Sequence, residues 1–167
     1  QQIPPGDNRL RHVCSQCHQA HYQNPRIVAG CLPVWQQQVL LSRRAIAPRQ
    51  GYWTLPAGFM ENGETVQQAA TRETFEEACA RVDQLQLYSL FDLPHISQVY
   101  MLFRAELCDL DFAPGAESLE VRLFDEAQIP WQELAFLTIG RTLECYFEDR
   151  RRQHFPLHHA TLGVPRD

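Results

Sequence analysis

The sequence predicts an α/β domain in which a few helices pack on a mixed sheet. Short apolar runs separated by turn residues recur from Ile27 onward, and only a few stretches read as helix between them. The chain has 167 residues, 44% hydrophobic and 21% charged, which is enough to bury a sizeable core. Residues 1–24 stand apart. They are polar, rich in Gln, His and Asn, and hold Cys14-x2-Cys17, so they read as a small appendage ahead of a domain spanning 25–167.

The elements follow in order. Ile27–Trp35 is a near-continuous apolar strand, Gln36–Gln38 a turn and Val39–Arg43 the returning strand. Ala45–Tyr52 is a loop punctuated by Pro48 and Gly51. Trp53–Pro56 is a short strand entering a glycine loop. Asn62-Gly63 is a turn dipeptide, and Thr65 is a ready N-cap for the helix behind it. Gln84–Phe91 and Gln98–Glu106 are strands joined by a loop with Pro94 and His95. Ala113–Ser118 is a loop and Leu119–Phe124 a strand. Trp131 opens a helical region, and Thr138–Gln153 is a long C-terminal helix.

The helix after Thr65 carries the chemistry. At roughly 100° per residue, Glu73, Glu76 and Glu77 fall within about 100° of one another, and Phe75, Ala78 and Val82 fall opposite. An apolar stripe can therefore face the core while three like charges converge on the other side. Carboxylates three and four residues apart repel unless a cation sits among them. Hard divalent ions take oxygen ligands and share their shell with phosphates. Arg72, four residues before Glu76, can orient or screen the cluster.

The spacing Gly58-x5-Glu64-x7-Arg72-Glu73-x2-Glu76-Glu77 resembles the signature of the Nudix hydrolases, G-x5-E-x7-R-E-U-x-E-E-x-G-U. Six of its seven fixed letters match; the last glycine is Cys79, and the bulky aliphatic U positions hold Thr74 and Ala80. These departures touch helix packing and the helix exit, not the acidic face. The resemblance implies an α/β/α sandwich with a mixed sheet. It also implies Mg²⁺ or Mn²⁺ on Glu73, Glu76 and Glu77 with help from the Gly58 backbone, and Arg72 with Glu64 holding these ligands in register. A loop glutamate would be the base, Glu117 or Glu120, with Glu117 preferred because it lies further into its loop. The reaction implied is hydrolysis of a diphosphate linkage to two monophosphates, as in AMP and ribose 5-phosphate from ADP-ribose.

The stretch from Asp7 to Pro25, with Cys14, Cys17, His21 and Tyr22, is similar to the second half of the zinc ribbon that precedes some Nudix domains. In that subgroup an earlier C-x2-C supplies the other ligands. Cys14 and Cys17 are thus candidate Zn²⁺ ligands, and the sequence, opening on Gln1 rather than Met, is expected to lack the first pair. Unliganded cysteines and covalent haem attachment at Cys14-x2-Cys17-His18 are the other readings; haem would require export, and no signal peptide is visible. Cys31, Cys79, Cys108 and Cys145 read as small core residues.

Further residues invite substrate roles. Arg43 and Arg44 end a strand and could reach phosphate, though as neighbours they point to opposite faces. Trp53 and Phe59 could stack on a base, and His95, His154, His158 and His159 read as surface histidines. A net charge of -5 disfavours nucleic acid as a partner and leaves a small-molecule nucleotide. No apolar run reaches membrane-spanning length, and uneven cysteine spacing suits a cytoplasmic setting. A homodimer is left open. Zinc-ribbon relatives suggest ADP-ribose, FAD or NADH. The NADH-type signature S-Q-P-W-P-F-P-x-S finds no match at Leu93-Pro94-His95-Ile96-Ser97-Gln98, which leaves ADP-ribose or FAD. The alternatives are NADH, a nucleoside triphosphate, or a non-catalytic module that senses a nucleotide. Such modules lose the box glutamates, and this chain keeps them.

Overall fold

The computed structural model describes residues 1–163. At the N-terminus, β1 (His12–Val13) and β2 (Ala20–His21) form a small antiparallel hairpin. Gln2 and Arg11 exchange two backbone hydrogen bonds beside it, and Arg11 forms an ion pair with Asp7 at 2.8 Å.

The main body contains β3 (Arg26–Trp35), β4 (Gln38–Arg44), β5 (Trp53–Thr54), β6 (Ala57–Phe59), α1 (Val66–Ala78), β7 (Val82–Leu93) and β8 (Gln98–Leu107). It continues through β9 (Ser118–Phe124), α2 (Leu137–Arg152) and β10 (His158–Thr161). One eight-stranded mixed sheet runs β10-β7-β8-β3-β4-β5, with β6 added on β3 and β9 on β4. β8 runs parallel to β3, and β10 runs parallel to β7; the other pairings are antiparallel. β10 lies in a tail that the sequence pattern leaves unassigned. The predicted helical region at Trp131 is a single 3₁₀ turn, Trp131–Glu133, ahead of α2.

The two helices cover opposite faces, as alternation along β3 requires. Ala29 and Cys31 pack against Ala69 and Ala70 of α1, whereas Leu32 and Val34 join the cluster holding Ile139, Leu143 and Phe147 of α2. Among the described residues no helix is long and apolar enough to cross a membrane.

The face that α1 buries differs from the expected one. Phe75 is 55% exposed, and Val82 belongs to β7, not to the helix. The buried positions are Ala69, Ala70, Thr74, Glu77 and Ala78. Alanines let the helix axis come close to Ala29 and Ala105 on the sheet, where a phenylalanine would hold it away. The acidic stripe therefore borders the buried stripe instead of opposing it. Two cysteines also depart from the core reading. Cys31 and Cys145 are buried, but Cys108 is exposed and Cys79 is half-buried. Cys79 caps α1 at φ 49°, a left-handed position that glycine occupies most easily, so its place in the signature is explained by conformation and the cysteine bears some strain.

Candidate active site

The start of α1 is set by its own side chains. Thr65 Oγ1 accepts from the Gln68 amide at 3.2 Å, and Gln68 Oε1 accepts from the Thr65 amide at 2.7 Å, a closed capping box. The Asn62-Gly63 turn leads into it and presents Glu64, whose Oε1 accepts the Glu61 amide at 2.6 Å.

Arg72 is the hub of the acidic cluster. Its Nη1 donates to Glu73 at 2.7 Å and to Glu76 at 2.9 Å; its Nη2 donates to Glu64 at 2.8 Å and to the Phe59 carbonyl at 3.1 Å. The guanidinium holds the Glu64 carboxyl below its ordinary pKa. Glu73 goes the other way: burial raises it, outweighing the hydrogen bond from Arg72. Glu77 is 7% exposed, and burial, reinforced by the charge of Glu73, pushes its carboxyl up to about 7. Ser42 Oγ donates to it at 3.2 Å.

Among the described residues no three ligand-type side chains are drawn together into a finished cage. The donor set nonetheless fits a hard divalent cation. It is all oxygen, it holds four glutamates against one arginine, and two of those glutamates have their charged form disfavoured by burial. The glycine loop lies directly against it. A Cβ at Gly58 would run into the Glu73 carboxylate, so glycine here lets that carboxylate keep its place against the loop.

The loop carrying the two candidate bases is clamped onto the end of α1. Gly115 donates its amide to the Glu77 carbonyl at 3.0 Å, Ala113 donates to Ala78 at 3.0 Å, and a Cβ at Gly115 would fall 1.7 Å from the Glu76 carbonyl oxygen. This docking turns Glu117 into the cleft, where its charge raises the pKa of Glu73. Glu120 lies on β9, 3.9 Å from Arg43, outside the cleft lining.

The cleft has a volume of about 970 Å³. Arg72, Glu73, Glu76, Glu77 and Gly58 form one wall. Arg44 and Phe59 also line it; Phe59 is 41% exposed and stacks under the Arg26 guanidinium at 4.4 Å. Two residues expected near substrate are not there. Trp53 is 6% exposed and packs edge-on to Phe124 at 4.8 Å, because β5 turns it into the core. Arg43 points off the opposite face of β4 and donates to the Gly51 carbonyl at 2.8 Å.

The rest of the lining comes from segments outside the acidic signature, among them Tyr100 on β8, Phe136 and Thr138 at the start of α2, and Leu162–Gly163 after β10. His95 lines the cleft against Gly163. His158 does more than sit at the surface; its Nε2 lies 2.6 Å from buried Asp149, which also accepts from Tyr88 at 2.7 Å, tying β10 and β7 to α2.

The N-terminal hairpin brings Cys14 and Cys17 together. Cys14 and Gln19 are joined by a backbone bond of 3.0 Å, and His18 donates to the Cys14 carbonyl at 3.1 Å. The Cys17 and Gln16 amides and the Cys17 thiol lower the Cys14 pKa. That suits a thiolate ligand, but no third ligand joins the pair among the described residues.

Comparison with known proteins bears on both parts. The NUDIX domain family matches residues 24–144, and the Nudix N-terminal zinc-ribbon family matches residues 1–23. A NUDIX hydrolase from Nitrosomonas europaea, known from its crystal structure, is 56% identical with a TM-score of 0.89 over 96% of this chain and 92% of that one. The NAD-capped RNA hydrolase NudC of Edwardsiella ictaluri is 31% identical over 118 residues, 69% of this chain and 44% of the relative. The chain thus spans less than half the length of that curated relative. The NUDIX domain of Shewanella oneidensis NrtR, solved with ADP ribose, is 18% identical with a TM-score of 0.66 over 79% of this chain and 90% of that one, a likeness of fold alone.

Proposed function

This chain belongs to the Nudix hydrolase family, and we propose that it hydrolyses the diphosphate linkage of ADP-ribose or FAD with the help of Mg²⁺ or Mn²⁺. The observation that carries the reading is the single cleft wall on which Gly58, Arg72, Glu73, Glu76 and Glu77 meet, with Glu117 facing Glu73. A divalent cation held by the three α1 glutamates and the Gly58 carbonyl would neutralise phosphate oxygens and acidify the attacking water. Glu117 would accept the proton of a water that attacks one phosphorus. The bridging P–O bond breaks, and the bridging oxygen leaves on the other phosphate, giving two monophosphates. Arg72 and Glu64 keep Glu73 and Glu76 in place. Arg44 meets a phosphate, and Phe59 offers a ring for a base.

Substrate choice is a contest between two observations. The 93–98 segment departs from the NADH-type signature and supports ADP-ribose or FAD. The likeness to the NAD-capped RNA hydrolase NudC favours NAD-type substrates instead, and with them an RNA partner that net charge alone argued against. Retention of every acidic box residue speaks for catalysis over simple sensing. Six cysteines without a disulfide suit a reducing, cytoplasmic setting.

A panel of ADP-ribose, FAD, NADH and NAD-capped RNA with Mg²⁺ decides between these readings, scored by phosphate release after phosphatase treatment. Fastest turnover of ADP-ribose or FAD upholds the proposal. Fastest turnover of NADH or capped RNA replaces it with the second reading. Tight binding with no cleavage across the panel makes the chain a sensing module.

A further inference from the structure

We infer that the N-terminus of α2, together with the Thr138 hydroxyl, is a subsite for a phosphate oxyanion of the substrate. The inference rests on the reading that the cleft takes a diphosphate.

Three observations meet at this point. First, α2 is a 16-residue helix whose N-cap, Phe136, makes no side-chain hydrogen bond, and its first turn holds no acidic residue. The amides of Ile139 and Gly140 return to the Phe136 carbonyl at 3.1 and 3.3 Å. Those of Leu137 and Thr138 precede the first intrahelical acceptor, and the helix dipole places partial positive charge there.

Second, Thr138 is 1% exposed, yet its Oγ1 has no hydrogen-bond partner among the described residues. Buried polar groups are nearly always satisfied, and an orphan hydroxyl costs stability unless something else meets it. Thr138 is among the residues lining the cleft, which places the orphan hydroxyl at the cleft wall.

Third, the Arg44 guanidinium lies 5.2 Å from the Phe136 ring centroid, beside the helix end. The donors are thus a hydroxyl, amide groups and an arginine. They share the cleft with a wall of glutamates. A neutral sugar hydroxyl would use the hydrogen bonds but not the charge; a phosphate uses both. One phosphoryl group of the diphosphate then lies at the α2 end while the other meets the acidic wall.

The test uses the described chain with inorganic pyrophosphate as the probe, in EDTA, read by ³¹P line broadening. Thr138→Val keeps the shape and removes the hydroxyl; Thr138→Ser keeps the hydroxyl. Pyrophosphate affinity should fall about tenfold in Thr138→Val, the scale of a lost hydrogen bond to a charged group, and stay near wild type in Thr138→Ser. With Mg²⁺ and the best nucleotide substrate, the KM of Thr138→Val should rise by about the same factor with kcat little changed. Its Tm should equal or exceed wild type, because the orphan hydroxyl is gone. Wild-type pyrophosphate affinity in Thr138→Val overturns the subsite, as does an equal loss in Thr138→Ser. Glu77→Gln separates this from the enzyme reading. In EDTA it should keep the Thr138-dependent binding, while full hydrolysis by Glu77→Gln would overturn the metal-holding role of the α1 glutamates and leave the subsite standing.

Discussion

Helix α1 begins at a closed capping box between Thr65 and Gln68, whereas α2 begins at Phe136, which caps nothing. Both helices border the same cleft, but they present different parts to it. α1 offers its flank, where Glu73, Glu76 and Glu77 concentrate negative charge around Arg72. α2 offers its end, with an uncapped first turn and a buried hydroxyl that has no partner among the described residues. Side chains cap the start of α1, and none caps the start of α2, where Phe136 and Thr138 line the cleft. A cation suits the first wall and an anion suits the second, which is the pairing a metal-bound diphosphate brings.

The comparison can be broken most forcefully at the α1 flank. Glu77→Gln should lower turnover by about a hundredfold or more, the scale of losing a key charge-stabilising group. The control is Glu120→Gln, which lies outside the cleft and should leave turnover near wild type. Glu117→Gln comes next. Loss of general-base catalysis should cost turnover about a hundredfold while metal affinity stays put, and the acidic limb of the pH–rate profile should change. If Glu120→Gln shows that phenotype and Glu117→Gln does not, the base has been misassigned.

A subtler effect concerns stability. Glu77 has an ordinary pKa of 4.5 that burial raises to about 7. The folded protein therefore favours its protonated form, and the stability this contributes is full below pH 4.5 and lost as pH rises through about 7. The loss amounts to roughly 3 kcal/mol at most. Mg²⁺ binds the deprotonated form, so the rise in Tm on adding Mg²⁺ should be larger at pH 8 than at pH 5.5. In Glu77→Gln the Mg²⁺-induced shift should be small and flat with pH. Equal shifts at both pH values in wild type would mean that Glu77 is not a ligand.

At the closed end of α1 the expected change is smaller still. Thr65→Ala should cost about 1 kcal/mol in urea unfolding, the usual loss of an N-cap, and leave KM unchanged. The N-terminal hairpin lies outside both walls and calibrates them. With only Cys14 and Cys17 paired at the hairpin, this chain should hold Zn²⁺ weakly there, and zinc-selective chelation should spare hydrolysis. Loss of activity that Mg²⁺ does not restore would tie the hairpin to the cleft.

The two walls were not equally legible. The α1 flank could be read because one helix brings Glu73, Glu76 and Glu77 together, and helical spacing is local. Even there the depth of Glu77 was missed. Periodicity pointed Phe75 inward, but the close approach of Ala69 and Ala70 to the sheet turned it out. At Thr138 the α2 wall carries no pattern of charge or spacing that marks a site. Thr138 reads as an ordinary first-turn residue until β5 and β8 set α2 beside the cleft, and β10 is only a parallel edge pairing with β7. Trp53 illustrates the reverse error, since an aromatic beside a glycine loop faces core or cleft according to the sheet face, which its neighbours in sequence do not fix.

Hydrolysis by this site depends on a divalent cation held by the α1 carboxylate wall, as proposed above. Titrating Mn²⁺ and following the electron paramagnetic resonance signal of the free ion tests it most directly, with turnover measured on the same samples. Wild type should bind Mn²⁺ as hydrolysis appears, and Glu77→Gln should lose both together. Glu77→Gln that binds Mn²⁺ like wild type and turns over at the wild-type rate would contradict the account.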